Sequence, residues 1–164
     1  MTKAMEATQW TGVVSYGLAA TICLIAGSRP WPLLAFVNAA FAAECALGWR
    51  HALHNWAVVA MGDLYSGRTP AQLLMTVAVI AVAALVVRQA RVRTGVREHS
   101  GVATVTLVSA TLFLLETISL HGLDALIYRP ANGLLIIGWL WLLLGGATVA
   151  CALADVRRRR VLRK

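Results

Sequence analysis

Long apolar stretches, each close to the thickness of a bilayer, dominate this sequence and limit what it can fold into. A membrane-spanning helix needs about 20 predominantly apolar residues. Five stretches of the chain approach that length: 10–26, 33–54, 70–87, 102–127 and 134–154. Because lipid offers no hydrogen-bond partner to an open backbone, such stretches cross the bilayer as helices. The sequence therefore predicts an all-α integral membrane protein, folded as a single domain with a bundle of about five transmembrane helices.

Composition agrees with that class. Hydrophobic residues make up 59% of the 164 residues and charged residues 13%, whereas a soluble domain carries about 25% charged residues. The net charge of +8 does not predict a nucleic-acid partner, because the arginines cluster directly after two apolar stretches. A basic patch alone gives only nonspecific affinity for nucleic acid.

The basic clusters indicate the orientation in the membrane. Positively charged residues collect on the cytoplasmic side, which predicts a cytoplasmic loop at 88–99 and a cytoplasmic tail at 155–164. With five spans the N-terminus is then outside and the C-terminus cytoplasmic, and residues 55–69 form an external segment along the membrane surface. Eleven of the fifteen basic residues become cytoplasmic. Arginine outnumbers lysine 13 to 2, which favours a GC-rich bacterial genome and hence a bacterial inner (plasma) membrane.

Ionisable side chains inside the apolar stretches are costly and mark functional sites by default. They fall on two predicted spans, which run in the same direction. Span 33–54 carries Glu44, Arg50, His51 and His54, and span 102–127 carries Glu116, His121 and Asp124. With a rise of 1.5 Å per residue, Glu44 lies about 17 Å and Glu116 about 21 Å from the inner end of its span. The two glutamates therefore share one layer, and the histidines and Asp124 share a layer nearer the outer face.

Two pairs spaced three residues apart predict a metal or haem site. His51 with His54, and His121 with Asp124, each face one side of a helix, and helical bundles hold metals with such pairs. The four side chains would bind iron, zinc or copper. Alternatively, His51 and His121 would be axial ligands of haem b.

The remaining polar residues of these spans are candidate catalytic groups. Glu44 and Glu116 would move protons, and Arg50 would take part in the chemistry or neutralise a nearby carboxylate, because a buried charge without a partner is very costly. Trp139 and Trp141 lie two residues apart and so face different sides of their helix; one would line a flat cofactor and the other the lipid interface. Arg129–Gly133 reads as a short turn.

Three functions fit these residues. The first is an oxidoreductase or lipid-modifying enzyme with a metal or haem centre, acting on a quinone or a lipid. The second is a proton-coupled transporter using Glu44 and Glu116; the lack of a visible repeat or broken helix speaks against it. The third is a non-catalytic small subunit of a larger membrane complex, in which the polar residues would pair with one another. The expected partners are the bilayer and either further copies of the chain or other membrane subunits.

Overall fold

The computed structural model describes residues 3–27, 31–61, 74, 76–81, 84, 100–118 and 121–162. Helices account for nearly all of them, and single residues and short runs between 74 and 84 are helical as well. The elements with defined bounds are α1 (Lys3–Ala26), α2 (Trp31–Leu47), α3 (Trp49–Met61), α4 (Ser100–Ile118), α5 (His121–Ile127), β1 (Pro130–Ala131), β2 (Leu134–Leu135) and α6 (Ile136–Leu162).

The helices support a membrane protein. Within the described part of the chain, α1 and α6 are each long and apolar enough to cross a bilayer, and the bent pair of α2 and α3 forms a third candidate span. Helix α4 contains a shorter apolar stretch, Thr104–Ile118. The all-α membrane class is thus confirmed. The five-span topology and its orientation stay predictions, and most of the predicted span 70–87 lies outside the described residues.

The prediction of one continuous helix over residues 33–54 is wrong at Gly48. Helix α2 ends at Leu47, α3 begins at Trp49, and the two axes differ by 73°. Gly48 has a φ of +65°, a left-handed conformation that glycine adopts at little cost. Helix α3 extends to Met61, so the predicted surface segment 55–69 begins as helix, and residues 62–69 lie outside the described residues.

The described residues of the predicted span 102–127 are helical and belong to α4 and α5. Residues 119 and 120, between the two helices, lie outside the described residues. The side chain of His121, the first residue of α5, is also outside them.

Helices α1 and α6 pack side by side in the same direction through small residues. A Cβ atom on Gly138 would lie 2.9 Å from Thr8 Cγ2, and one on Gly145 would lie 2.8 Å from Ser15 Cβ. Both contacts advance by seven residues along each helix, so the helices run parallel. Glycine at these positions lets the two backbones approach closely, as is usual between membrane helices.

A two-residue hairpin fixes the start of α6. Asn132 and Gly133 both have positive φ, 49° and 84°, the combination that a tight hairpin turn requires. This turn joins β1 to β2 in an antiparallel pair, and the Leu135 amide donates a hydrogen bond to Thr8 Oγ1 at 2.9 Å. The hairpin therefore attaches the entry of α6 to α1, and the predicted turn at 129–133 is confirmed.

Candidate functional site

The break between α2 and α3 is closed by the side chain of Glu44. Its Oε1 accepts a hydrogen bond of 2.9 Å from the backbone amide of Arg50, the second residue of α3. The first amides of a helix have no partner within the helix, and the partial positive charge there favours a carboxylate. Glu44 thus belongs to α2 but caps α3, which accounts for the stability of a helix beginning inside an apolar run.

Arg50 joins the two glutamates that the sequence placed in one layer. Its Nε lies 3.0 Å from Glu116 Oε2, and its Nη1 lies 3.5 Å from Glu44 Oε1. The arginine side chain is 6% exposed, that of Glu44 14% and that of Glu116 0%. The neutralising role foreseen for Arg50 is therefore present, toward both carboxylates at once. We call these three residues the Glu–Arg–Glu network.

Glu116 receives two further donors from the other side. The Trp141 indole Nε1–H donates to Oε1 at 3.3 Å, and the Tyr128 hydroxyl donates to Oε2 at 3.3 Å. Tyr128 lies in the turn after α5, outside the helical spans; burial, and then the negative charge of Glu116, raise its pKa to about 12. The tyrosine is thus protonated at neutral pH and available as a donor. Helix α6 and the turn before the hairpin together hold this carboxylate in place.

Aromatic rings surround the guanidinium group. Its carbon lies 4.9 Å from the ring centre of Trp141 and 5.7 Å from that of Phe113, both within cation–π range. The rings of Phe113 and Trp141 stack on each other, and Phe41 stacks on Phe113 with centres 4.8 Å apart. The buried ring of Tyr16 meets Phe41 edge-on. The charged network therefore lies in a largely apolar part of the core.

The charges of the Glu–Arg–Glu network do not balance. Two ionised carboxylates around one guanidinium leave a net charge of −1, and an uncompensated charge in an apolar interior is very unfavourable. One more positive charge, such as a proton on a carboxyl or a bound cation, would restore neutrality to these three side chains.

The predicted metal ligands are only partly brought together. His51 interacts electrostatically with His54 and Asp124, so these three side chains lie in one region. His54 Nδ1 lies 3.2 Å from the carbonyl of Thr117 on α4, and since a carbonyl only accepts, Nδ1 carries the hydrogen. Among the residues that the structure describes, no three His, Cys, Asp or Glu side chains are placed to hold a metal ion. The predicted set His51, His54, His121 and Asp124 stays a prediction.

Sequence reasoning missed the aromatic half of the site. Trp141 is 1% exposed and contacts the network, whereas Trp139 is 37% exposed and donates to the Ala131 carbonyl of the hairpin. Their spacing did show that one of the two faces inward, but not which. Tyr128 had no local signal, because its link to Glu116 depends on how α5 returns toward α4.

No family model, curated protein or solved structure matches this chain.

Proposed function

We propose that this protein is a proton-coupled membrane transporter in which Glu44 and Glu116 exchange protons. The observation that carries the proposal is the unbalanced charge of the Glu–Arg–Glu network, where one buried carboxylate, Glu116, and one partly buried carboxylate, Glu44, share one arginine. Carboxylates in the membrane interior serve as proton carriers in pumps and transporters. A site that holds one proton too few for neutrality binds and releases that proton as its surroundings change.

The break at Gly48 supports transport over a purely structural role. The sequence showed no broken helix, and that absence spoke against a transporter. The structure has such a break, with a 73° bend, four residues from Glu44 and two from Arg50. Transporters build their sites at discontinuous helices, because helix ends there can interact with charged groups. Here the amide end of α3 holds the Glu44 carboxylate.

A proton-flux measurement tests the proposal. Purified protein is reconstituted in liposomes with a trapped pH-sensitive dye, and a pH gradient is imposed. In the absence of a co-substrate we expect a proton leak through the wild type and loss of this leak with Glu44→Gln and with Glu116→Gln, since an amide group does not gain or lose a proton at neutral pH. Asp155→Asn is the matched control, because Asp155 is another buried carboxylate that accepts from a tryptophan. Undiminished flux in both glutamine variants would exclude the proposal.

A second candidate function is that of a non-catalytic subunit in a larger membrane complex. It is favoured by the way the polar residues pair with one another, since Arg50, Glu44 and Glu116 contact each other directly. In that case the glutamine variants would change the stability of the complex, and the purified chain would show no flux above protein-free liposomes. Co-purification of the tagged chain from its native membrane, compared between the wild type and Glu116→Gln, separates the two functions.

The metal or haem enzyme suggested by the sequence is the third candidate. Its support is the common region of His51, His54 and Asp124, and it needs His121 as a further ligand. Metal analysis and a visible absorption spectrum of the purified protein test it directly. A stoichiometric metal or a Soret band that disappears with His51→Ala would favour it over proton exchange.

A further inference from the structure

The surroundings of the Arg50 side chain have the composition of a binding site for a flat organic cation. A carboxylate oxygen lies 3.0 Å from the guanidinium Nε, and the centres of two aromatic rings lie 4.9 and 5.7 Å from the guanidinium carbon. Proteins bind organic cations with this combination of aromatic faces and negative charge. We call Glu44, Phe113, Glu116, Tyr128 and Trp141 the cation cage. In this structure Arg50 occupies it.

Charge and hydrogen bonding both hold Arg50 in the cage, since its side chain is also hydrogen-bonded to Tyr128 and Cys45. Within the described residues, neither Nε nor Nη1 makes a hydrogen bond of good geometry, although both lie close to carboxylate oxygens. A bidentate arginine–carboxylate pair would fix the group through two parallel hydrogen bonds, and that arrangement is missing for these two nitrogens. A cation of the guanidinium or amidinium class has N–H groups of its own, so it can take over the hydrogen bond to Tyr128 when it replaces the guanidinium group.

Arg50 is also the part of this arrangement that lies beyond the helix break. The residues of the cage belong to α2, α4, the turn after α5, and α6, whereas Arg50 is on α3. Gly48, with its φ of +65°, is the junction between the two groups, and hinges are a few such residues that absorb a change in φ and ψ. A rotation of α3 about Gly48 would withdraw Arg50 from the cage and release the Glu44 carboxylate from the Arg50 amide.

We propose that the cation cage binds a small planar cation of the guanidinium or amidinium class, in exchange with the side chain of Arg50. Without Arg50 the cage contains two carboxylates and no positive charge, so a cation or protons must enter. The inference rests on the proposed function, since it names the substrate of the same site. With Arg50 withdrawn, the two carboxylates are neutralised either by two protons or by one proton and one organic cation, so one organic cation would be exchanged for one proton.

Binding of benzamidinium to the purified full-length protein in detergent tests the proposal. We expect weak, saturable binding to the wild type and binding about tenfold tighter or more to Arg50→Met, because the internal competitor is gone. The double variant Arg50→Met, Glu116→Gln should lose this gain. Neutral benzamide has nearly the same shape and should not bind. Arg159→Met is the matched control, since Arg159 also pairs with a buried carboxylate, and it should bind like the wild type.

Equal binding of benzamide and benzamidinium would overturn the proposal, as would a gain in Arg50→Met that persists without Glu116. If Arg50→Met does not fold, the proposal is tested with the wild-type protein in liposomes. A benzamidinium gradient should drive protons in the opposite direction, beyond the level of protein-free liposomes. If that exchange fails while Glu116-dependent proton flux remains, the proposed cation substrate is refuted, but the proposed proton exchange is not. Proton flux that persists in Glu44→Gln and Glu116→Gln refutes the proposed function itself.

Discussion

Two regions of the molecule combine the same kinds of side chain, a tryptophan, a carboxylate and an arginine. In the Glu–Arg–Glu network, Trp141 and Arg50 both contact Glu116. Toward the other end of α6, the Trp31 indole donates to Asp155 at 2.9 Å, and Arg159 lies 2.7 Å from the same oxygen. We call Trp31, Asp155 and Arg159 the Asp155 clamp. The two carboxylate sites are about 20 Å apart along α6, measured from Trp141 to Asp155.

The difference lies in charge and in chain connectivity. The Asp155 clamp pairs one carboxylate with one arginine, four residues apart on the same helix and with Arg159 30% exposed. The Glu–Arg–Glu network has two carboxylates for one arginine, draws on α2, α3 and α4, and is almost fully buried. The partly exposed ion pair of the clamp lies near the end of α6. The network contains one more carboxylate than arginine, and on this excess the proposed proton exchange rests.

The largest effect that separates the two regions is expected from removing each arginine. Arg50→Met leaves two buried carboxylates without their partner, and breaking a buried ion pair in this way costs about 3–5 kcal/mol of unfolding free energy. Arg159→Met should cost about 1 kcal/mol or less, because the arginine is partly exposed. Unfolding of the purified variants in detergent, followed by tryptophan fluorescence, measures both. Equal losses of unfolding free energy in the two variants would show that Arg50 contributes no more to stability than Arg159.

A smaller effect is expected from filling the glycine next to each region. A Cβ on Gly12 would lie 2.5 Å from Cys45 Sγ and 2.6 Å from Trp141 Cε3, so Gly12→Ala should overpack the network side by about 1–3 kcal/mol. A Cβ on Gly101, toward the clamp end, meets only Cys151 Sγ at 3.3 Å, and Gly101→Ala should cost less. The same unfolding assay compares them. A Gly101→Ala loss larger than that of Gly12→Ala would contradict the tighter packing around the network.

The smallest effect is expected at the clamp itself. Trp31→Phe keeps an aromatic ring of smaller volume but removes the hydrogen bond to Asp155, while Arg159 still neutralises the carboxylate. The loss of one hydrogen bond to a partnered group, together with the small cavity left by the indole, should cost about 1–2 kcal/mol. Proton flux should be unchanged, because the clamp takes no part in proton exchange. If Trp31→Phe is stable but has lost proton flux, the Asp155 clamp does take part in proton exchange, and the two regions act together.

Sequence reasoning reached the helical membrane class and the partnership of three charged residues. The length of the two apolar stretches is enough to predict α1 and α6, because apolar stretches of that length cross a bilayer as helices. Counting helical rise placed Glu44 and Glu116 at one depth, and the structure connects both to Arg50. The break at Gly48 was not foreseen, because one glycine in an apolar run is also compatible with a continuous helix. The break is accompanied by a hydrogen bond from the Arg50 amide to the Glu44 side chain, six residues earlier in the chain. No local sequence motif predicts a contact at that spacing.

The parallel contact between the first and last helices has a consequence for biogenesis. The face of α1 that carries Thr8, Gly12 and Ser15 is covered by residues of α6 and β2, and the Thr8 to Leu135 hydrogen bond joins residues 127 positions apart. Since a nascent chain emerges N-terminus first, α1 is synthesised well before α6. The contact between the first and last helices can therefore form only after nearly the whole chain has been made.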